Sequence, residues 1–353
     1  MRSERPKPLH RLCGRPMLVY VLDALNRCEV ERVVVVVGHG AERVTKTLQE
    51  QGAALILDFV EQRVQRGTGD AVSVGLTGLP VDLDGDDADV LVVPGDTPLL
   101  GSDTIAQLVA AHQQSEAACT MLTARVDDPT GYGRVVRKKD GLVHRIVEQN
   151  DATDLQLEID EINTGIYCFR QGVLAPALRR VNPENAQGEY YLTDVVGVLH
   201  DAGYRIDAIV ADDPAEIAGV NDRLQLAQAE AVMRARTNRE WMRRGVTMID
   251  PEHTYLDATV ELANDVTIFP NTLLQGETVV GQGVEIGPDT RLTDCVVGAD
   301  AIVEKTVGRD SEIGAGARVG PFVALEPGSH IEAGTRTTPF TTAKSSDDGT
   351  ERA

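Results

Sequence analysis

The first 221 residues alternate between short runs of β-branched residues and stretches in which apolar residues recur at helical spacing. RVVVVV at Arg32–Val37 and DVLVV at Asp89–Val93 predict buried strands, because such runs leave no polar face for solvent. The same criteria predict further strands at Ala54–Leu57, Ala117–Ala124, Leu142–Val147, Ile162–Phe169 and Arg205–Val210. Strands that alternate with helices are typical of an α/β fold with a mostly parallel sheet covered on both faces.

After about residue 256 the pattern changes to a six-residue period. In a first series, Val, Thr or Ile recurs every six residues, at Val260, Val266, Thr272, Thr278, Val284, Thr290, Val296 and Ile302. A second, aliphatic series lies two positions later, at Leu262, Ile268, Leu274, Val280, Ile286 and Leu292. The period is irregular around Glu304–Asp310 and resumes at Ile313, Val319, Leu325 and Ile331. Hexapeptides of this kind, with Gly and Asn or Asp at the corners, predict a β-helix whose coils point small aliphatic side chains inward.

The change of period also predicts the domain organisation. We expect an α/β domain over residues 1–221, a linker helix within residues 222–250, a β-helix over residues 251–340 and a disordered polar tail over residues 341–353. The linker is predicted from NDRLQLAQAEAVMRARTNREWMRR, which contains no Gly or Pro and is rich in good helix formers.

Composition and charge exclude several classes of protein. The 353-residue chain carries 34 Lys and Arg against 55 Asp and Glu, and this net charge of −21 repels nucleic acid and anionic membranes. No apolar run approaches the length that spans a bilayer, and the N-terminus has no apolar signal segment, so we expect a cytoplasmic protein. The five cysteines include no CxxC pair, which argues against a disulfide framework or a structural zinc site.

Short peptides beside the predicted strands carry the candidate chemistry. In VVPGDTPLL, Asp96 follows an apolar strand, and ligands bind at the carboxyl ends of strands in open α/β sheets. Its carboxylate is either a ligand for Mg²⁺ on a triphosphate or a turn residue. In QRGTGDA, Gly67 and Gly69 let the backbone approach a ligand beside Thr68, although many surface turns look alike. Taken alone, DDPTGYGR is explained by a hairpin turn, and the Asn residues of EINTGIY and GVNDR are better explained as buried structural amides than as functional groups.

Taken in order, these peptides resemble one family. RPKPLH, GHG, QRGTGDA, PGDTPLL, DDPTGYGR, EINTGIY, NAQGEYYLTD and GVNDRLQL, followed by hexapeptide repeats, are similar to the bifunctional bacterial enzymes that make UDP-N-acetylglucosamine. The resemblance runs from about residue 1 to residue 331. It implies an α/β Rossmann-like nucleotidyltransferase domain, a helical arm and a left-handed β-helix, which in the family acetylates glucosamine-1-phosphate.

The resemblance also implies the activity and its residues. The expected reaction transfers UMP from UTP to N-acetylglucosamine-1-phosphate with release of pyrophosphate, in line and assisted by Mg²⁺, for cell-wall precursor synthesis. Asp96 and Asn221 match the Mg²⁺ ligands, and Lys7 matches the lysine on the phosphates, so Lys7 and Asp96 are the expected catalytic residues. Nucleotide contacts are matched by Gln62, Gly67, Thr68 and Gly95. Contacts to the amino sugar are matched by Gly133, Glu148 and Asn163.

The chain departs from the family pattern at three places. The family opens with a strand and a Gly-rich phosphate loop, and Met1 aligns with the last residue of that loop. Either translation starts upstream, which we favour because the later motifs are coherent, or the chain is truncated and inactive. Pro94 stands where the family usually has tyrosine, and Glu326 stands where it has arginine. Because the later coils are also missing, we expect acetyltransferase activity to be lost and the β-helix to serve as the stem of a homotrimer.

Two other functions stay open at this stage. One is a nucleotidyltransferase that uses a different sugar-1-phosphate. The other is a non-catalytic trimeric paralogue that acts as a scaffold or as a regulatory partner of an intact enzyme.

Overall fold

The structure is a computed structural model that describes residues 1, 3–28, 30–50, 55–79 and 88–344. Two compact units divide the chain, each with its own apolar core. Unit 1 comprises Met1–His10 and Pro16–Gln225, and unit 2 comprises Arg11–Arg15 and the chain from Leu226 onward. Among the described residues, no helix has both the length and the apolarity that crossing a bilayer requires.

Strands and helices are numbered along the chain, beginning with the short pair β1 (Arg11–Leu12) and β2 (Arg15–Pro16). The strands of unit 1 are β3 (Val33–Val37), β4 (Leu57–Glu61), β5 (Asp89–Val92), β6 (Cys119–Arg125), β7 (Arg134–Arg137), β8 (Val143–Val147), β9 (Glu161–Arg170) and β10 (Ile206–Val210). The helices are α1 (Met17–Asn26), α2 (Ala41–Glu50), α3 (Thr68–Leu76), α4 (Ser102–Gln114), α5 (Asp154–Leu157), α6 (Gln171–Leu178), α7 (Thr193–Asp201) and α8 (Arg223–Arg243), which contains the boundary between the units.

Strand β9 is central to the sheet of unit 1. Parallel pairing joins β3 to β4 and β10 to β6. β9 runs antiparallel between β5 and β6, so these two strands point the same way. β7 pairs antiparallel with β8 and also contacts β9, which completes the order β10–β6–β9–β7–β8. The predicted α/β fold class is confirmed, but four of the five strand pairings described in this sheet are antiparallel, so the sheet is less parallel than the sequence predicts.

Alternate residues of β9 enter two separate apolar clusters. Ile166 and Cys168 pack with residues of α1 and α4, while Tyr167 and Phe169 pack with residues of α6 and α7. All four are at most 1% exposed. Since successive side chains of a strand point to opposite faces, the sheet is covered on both sides, as the valine-rich runs predict.

Two strands of unit 1 differ from the sequence prediction. The strand predicted at Ala54–Leu57 instead occupies Leu57–Glu61, and Ala54 lies outside the described residues. The apolar character of LILDFV continues across that boundary, so no change of pattern marks the start of the strand. β7 was not predicted, because the four residues RVVR are too short to show an alternation.

Unit 2 is a parallel β-solenoid. Its strands are β11 (Thr247–Met248), β12 (Thr254–Leu256), β13 (Glu261–Leu262), β14 (Thr267–Ile268), β15 (Thr272–Gln275), β16 (Val279–Val280), β17 (Glu285–Ile286), β18 (Arg291–Thr293), β19 (Val296–Val297), β20 (Ile302–Val303), β21 (Thr306–Arg309), β22 (Glu312–Ile313), β23 (Arg318–Val319), β24 (Val323–Leu325), β25 (His330–Ile331) and β26 (Thr342–Ala343). They stack in three parallel sheets, β11–β14–β17–β20–β23, β12–β15–β18–β21–β24–β26 and β13–β16–β19–β22–β25. The predicted β-helix is confirmed.

Coil length explains the hexapeptide period. Glu261 pairs with Val279 eighteen positions later, which is three hexapeptides per coil. The next two coils are shorter: Val279 pairs with Val296 seventeen positions later, and Val296 with Glu312 sixteen positions later. Left-handed backbone at the corners is taken up by short polar residues, as predicted, at Asp265, Asn271, Asp289, Asp294 and Asp300.

The shorter coils shift the inward register by one position. Val296 and Ile302 were predicted to point inward, and this is wrong, because Val296 is 49% exposed and Ile302 is only partly buried. Cys295 and Ala301 take their places in the core, both at 0% exposure. Thr290 and Cys295 are successive inward positions only five residues apart instead of six, so this coil is one residue shorter. Its corner is still polar and its interior still apolar.

The solenoid also extends past its predicted end at residue 340. β26 pairs with β24 through Ala324 and Thr342, within the stretch predicted to be a disordered tail. The remainder of that predicted tail, residues 345–353, lies outside the described residues.

Candidate functional site

Lys7, Asp96 and Asn221 meet at one point of unit 1. Lys7 begins a 3₁₀ turn, Asp96 follows β5, and Asn221 precedes α8. The Lys7 ammonium donates hydrogen bonds to the Asp96 carboxylate and to Asn221 Oδ1, the latter at 2.7 Å. The Asp96 carbonyl also accepts a hydrogen bond from Val220 N at 2.9 Å, which fixes the segment that carries Asn221. The structure thus brings together three predicted residues that lie far apart in the chain.

The oxygen atoms of this cluster suit a hard divalent cation. The Asp96 carboxylate and the Asn221 amide oxygen converge on one cationic centre, the Lys7 ammonium, and such oxygens are the ligands that Mg²⁺ prefers. The Asp96 side chain is 24% exposed and the Lys7 side chain 35%, so phosphate oxygens and waters have access. These residues therefore fit Mg²⁺.

Tyr132 lies beside this cluster and was not predicted as a site residue. Burial raises the pKa of its hydroxyl, a backbone hydrogen bond with Gly219 opposes the rise, and the Asp96 carboxylate adds to it. The peptide DDPTGYGR was recognised as a motif, but nothing in its pattern distinguishes Tyr132 from a tyrosine that only packs. Its neighbour Gly133 belongs to a different group of predicted residues.

Gln62, Gly67 and Thr68 form a turn that leads into α3. Gln62 Nε2 donates a hydrogen bond to the Gly67 carbonyl at 3.2 Å. Gly67 has a φ of +109°, and a Cβ there would lie 2.6 Å from the Tyr190 carbonyl oxygen, so this position requires glycine. Thr68 Oγ1 accepts a hydrogen bond from Leu192 N at 3.0 Å. The structure brings these three predicted nucleotide contacts together.

No described atom of that turn lies within 4 Å of a Cβ placed on Gly95. Gly95 follows Pro94, and the nearest described side chain to a Cβ placed on it would be Leu18, at 3.2 Å. The Pro94 ring lies 3.1 Å from the place of a Cβ on Gly165, in the strand that carries Asn163. Gly95 therefore lies next to Asp96 along the chain and packs against Leu18.

Gly133, Glu148 and Asn163 form the sugar cluster, so named for the contacts that the sequence predicts. Asn163 N donates to the Gly133 carbonyl at 2.8 Å, and a Cβ on Gly133 would lie 3.3 Å from Glu148 Oε2. Asn163 Oδ1 accepts from the Tyr167 hydroxyl at 2.7 Å, and Glu148 Oε1 accepts from the Thr193 hydroxyl at 2.9 Å. Within the described part of the chain, Asn163 Nδ2 and Glu148 Oε2 make no hydrogen bond, so a donor and an acceptor remain for a ligand.

The sugar cluster is acidic and partly buried. Burial raises the pKa of Glu148, the hydrogen bond from Thr193 opposes the rise, and Asp194 and Asp151 add to it. Burial also raises the pKa of Asp194, and Asp151 contributes in the same direction. Such a place favours neutral hydrogen-bond donors, such as sugar hydroxyls, over a phosphate.

The segment Tyr190–Thr193 connects the Gly67 turn to the sugar cluster. Gly69 N donates to the Tyr190 carbonyl at 2.8 Å, and the Thr193 hydroxyl bonds Glu148. The sequence prediction included NAQGEYYLTD as a peptide but none of its residues. A long matching peptide indicates that the segment is functional but does not say which of its residues are. The role of Thr193 depends on its hydrogen bond to Glu148, 45 positions away.

Comparison with known proteins covers both units. Residues 1–188 match the model of the MobA-like NTP transferase domain family. The chain is 46% identical to the bifunctional protein GlmU of Streptomyces avermitilis over 334 residues, which cover 94% of this chain and 68% of that protein. It is 45% identical to the bifunctional protein GlmU of Mycolicibacterium gilvum, over 99% of this chain and 70% of the relative. It is 42% identical to the bifunctional protein GlmU of Heliobacterium modesticaldum, over 98% of this chain and 74% of the relative.

Proposed function

The chain belongs to the family of the bifunctional GlmU proteins, and from this premise we propose that it is a UDP-N-acetylglucosamine diphosphorylase. In this proposal it transfers UMP from UTP to N-acetylglucosamine-1-phosphate and releases pyrophosphate, in the cytoplasm, to supply a cell-wall precursor. The observation that carries the proposal is the convergence of Lys7, Asp96 and Asn221. The family by itself makes the chain a nucleotidyltransferase, and the finer assignment rests on the three groups of residues in unit 1.

The proposed reaction is a single in-line displacement. A phosphate oxygen of N-acetylglucosamine-1-phosphate attacks the α-phosphorus of UTP, a new P–O bond forms, and the bond from that phosphorus to the bridging oxygen breaks. Pyrophosphate leaves with the electron pair of the broken bond. No protein nucleophile is required, so the contribution of the chain is to orient the two substrates and to offset charge.

Lys7 is the cation that this chain supplies for the phosphates. Its ammonium is partly exposed and already contacts two oxygen ligands, from Asp96 and Asn221. Phosphate oxygens can replace these two oxygens without a change in the burial of the Lys7 charge. Asp96 and Asn221 would hold Mg²⁺, and the bound ion would supply neutralisation of the triphosphate charge.

The sugar cluster supports an N-acetylamino sugar as the acceptor. Asn163 presents an amide donor, held in place by the Tyr167 hydroxyl, and Glu148 presents a carboxylate oxygen held by Thr193. A donor and an acceptor side by side suit an acetamido group and a neighbouring hydroxyl. A sugar-1-phosphate without the acetamido group would leave the Asn163 donor unpaired, which costs binding free energy.

We further propose that unit 2 serves assembly and does not transfer acetyl groups. Glu326 is exposed at the end of β24, and a carboxylate there repels a phosphorylated sugar. Phe322 and Phe340 are 52% and 78% exposed and stack with ring centroids 5.1 Å apart. An exposed aromatic pair of this size suits a contact between copies of the solenoid, and we propose a homotrimer.

The test is pyrophosphate release by the full chain. With UTP, N-acetylglucosamine-1-phosphate and Mg²⁺, we expect steady release that stops when a chelator removes the metal. Glucose-1-phosphate and glucosamine-1-phosphate serve as matched acceptors and are expected to react at least about tenfold less efficiently, since each lacks the acetamido group. If another acceptor is preferred, the sugar assignment is wrong. If folded protein releases no pyrophosphate with any acceptor, the enzyme proposal fails and a non-catalytic role is favoured.

A further inference from the structure

Three side chains able to bind a metal ion meet at the end of β5 opposite to Asp96. Asp89 begins β5, His112 lies in the last turn of α4, and Cys168 lies in β9. One ligand atom of each lies within 4.8 Å of the ligand atoms of the other two, and His112 Nε2 is 3.2 Å from Asp89 Oδ1. None of them takes part in the proposed nucleotide or sugar site.

The fold holds these three residues together. In the β5–β9–β6 register, Cys168 pairs with Leu91 on one side and with Thr120 on the other. His112 reaches the same place from α4, where its Nδ1 lies 2.9 Å from Thr120 Oγ1. The His112 and Cys168 side chains are buried, whereas the Asp89 side chain is 28% exposed. A small ion would therefore have a path from solvent past Asp89.

The hydrogen bonding of His112 is incomplete on the side that faces the cluster. His112 is 2% exposed, and its buried Nε2 makes no hydrogen bond among the described residues, although Asp89 Oδ1 lies 3.2 Å from it. A proton on Nδ1, donated to Thr120, leaves the Nε2 lone pair directed at Asp89 and Cys168. This is the arrangement of metal-binding histidines, in which the other ring nitrogen is held by a second group.

The donor set selects the class of ion. A tetrahedral ion with bonds of about 2.0 to 2.3 Å spaces its ligand atoms about 3.3 to 3.7 Å apart. His112 Nε2 and Asp89 Oδ1 are 3.2 Å apart, and all three ligand atoms lie within 4.8 Å of one another. One nitrogen, one sulfur and one carboxylate oxygen suit zinc and not magnesium or calcium. With an ion bound, the Asp89 carboxylate and a Cys168 thiolate would carry two negative charges, which a divalent cation cancels. Two further charges act on His112, those of Arg170 and Asp207, and they have opposite signs.

We propose that Asp89, His112 and Cys168 bind a zinc-class divalent ion, with a water in the fourth position on the exposed side. The ion joins α4 to β5 and β9, so it stabilises unit 1 and takes no part in the transfer reaction. Because the three ligands come from separate elements, the site has no CxxC-type spacing in the sequence.

Cobalt is the probe that tests this site. The full chain, freed of metal by a chelator, is titrated with Co²⁺ and then with Zn²⁺. A cobalt–thiolate charge-transfer band that Zn²⁺ abolishes is expected in the unaltered protein and in Cys295→Ser, which removes a buried cysteine of unit 2. The band is expected to disappear in Cys168→Ser. The His144–His200–Asp201 group has no thiolate, so ions bound there give no such band.

Two further measurements make the test decisive. Zn²⁺ at a hundredfold excess over its Kd is expected to raise the unfolding temperature of unit 1 by roughly 5 °C in the unaltered protein and not in Cys168→Ser. If Cys168→Ser does not fold, Asp89→Asn replaces it and is expected to weaken Co²⁺ binding at least about tenfold. The proposal is overturned if the unaltered protein shows no band, if the band persists in folded Cys168→Ser, or if Asp89→Asn binds Co²⁺ with unchanged affinity.

Discussion

Lys7 is bonded to the two oxygen atoms that would also hold a metal ion. The same oxygens cannot serve the ammonium and Mg²⁺ at once, so we expect Lys7 to exchange them for phosphate oxygens when the nucleotide binds. Asp96 is the residue on which both arrangements depend, because its carboxylate is the charged ligand in each. Substituting Asp96 therefore distinguishes between its two possible roles, a metal ligand and a turn residue.

Asp96→Asn is expected to lower kcat/KM for pyrophosphate release by about a hundredfold or more, because the amide weakens metal binding and removes a negative charge. Rates are measured over a range of Mg²⁺ concentrations. Asp140→Asn makes the same chemical change in the exposed β7–β8 turn, where Asp140 Oδ1 accepts a hydrogen bond from Leu142 N, and should leave the rates unchanged. Equal activity of the two variants would show that Asp96 is not a metal ligand.

Glu148→Gln tests the sugar cluster through its pH dependence. The pKa of Glu148 is raised above its ordinary value by burial, so its carboxylate becomes protonated at a higher pH than in an exposed glutamate. In the unaltered protein, the KM for N-acetylglucosamine-1-phosphate should therefore rise as the pH falls through that pKa. In Glu148→Gln we expect a KM raised about tenfold that no longer depends on pH on the acid side, with the KM for UTP unchanged.

The matched control for that experiment is Glu158→Gln, an exposed glutamate at the end of α5. It should keep both KM values and the pH profile of the unaltered protein. A profile that stays the same in Glu148→Gln would assign the titration to another group, such as Asp194, whose charge acts on Glu148.

At the scale of elements, Glu161 ties together three strands of the unit 1 sheet. It begins β9, is 2% exposed, and accepts hydrogen bonds from Arg137 Nη2 in β7 at 2.6 Å and from Thr123 Oγ1 in β6 at 2.9 Å. Burial acts to raise its pKa, but the hydrogen bonds from Arg137 and Thr123 and the positive charges of Arg137 and Arg125 together outweigh burial, and the pKa of Glu161 is lowered. A lowered pKa in the folded state means that the carboxylate stabilises the fold above its unfolded pKa and loses this contribution as the pH falls.

Glu161→Gln is expected to reduce the free energy of unfolding of unit 1 by about 2 kcal/mol at pH 7, because Arg137 loses its charged partner. The difference from the unaltered protein should shrink as the pH falls below about 4.5, where an ordinary glutamate takes up a proton. Urea unfolding followed by circular dichroism measures this. Glu50→Gln breaks an exposed pair with Lys46 and should cost under about 0.5 kcal/mol. A difference that stays constant with pH would contradict the argument.

The solenoid offers a test of its shortened coil in two adjacent residues of β19. Val297 is 2% exposed and Val296 is 49% exposed. Val297→Ala should therefore reduce the free energy of unfolding of unit 2 by about 2 kcal/mol, and Val296→Ala by under about 0.5 kcal/mol. The single tryptophan, Trp241, packs against the solenoid core and reports the transition by fluorescence. If Val296→Ala reduced the free energy of unfolding more than Val297→Ala, Val296 would point inward and the unbroken six-residue register would be correct.

At the scale of the whole molecule, the net charge of −21 opposes the approach of substrates that are themselves anions. Productive binding then depends on local cations and a metal ion, which is consistent with a site built around Lys7. The same charge opposes association between copies of the chain. Self-assembly therefore needs apolar contact, and the Phe322–Phe340 pair in the solenoid offers it.

Sedimentation at physiological salt is expected to give a species of three times the chain mass of 38.0 kDa. Phe340→Ser should shift this species toward the monomer, because the aromatic contact is lost. Val279→Ser removes an exposed apolar residue from a different stack of strands and should leave the trimer intact. A monomer in the unaltered protein would contradict the proposed assembly, and equal effects of both variants would contradict the proposed contact.

The sequence by itself determined the features that repeat along the chain. Runs such as RVVVVV and the six-residue period each place a series of neighbouring residues in the same environment, so the signal accumulates over many positions. The position of Asp96 after a strand is likewise local. Resemblance to a family added the names of Lys7 and Asn221, which no local pattern distinguishes from a loop lysine and a turn asparagine.

Only the tertiary structure decided the features that join distant parts of the chain. The antiparallel course of β9, the bond between Thr193 and Glu148, and the meeting of Asp89, His112 and Cys168 each depend on which elements become neighbours. Cys295 takes the place of Val296 in the core because that coil is one residue shorter. A constant six-residue period cannot predict this shortening. The physical reason is the same in each case: the contact brings together residues that no period along the chain relates, so burial and pairing fix it only once the chain has folded.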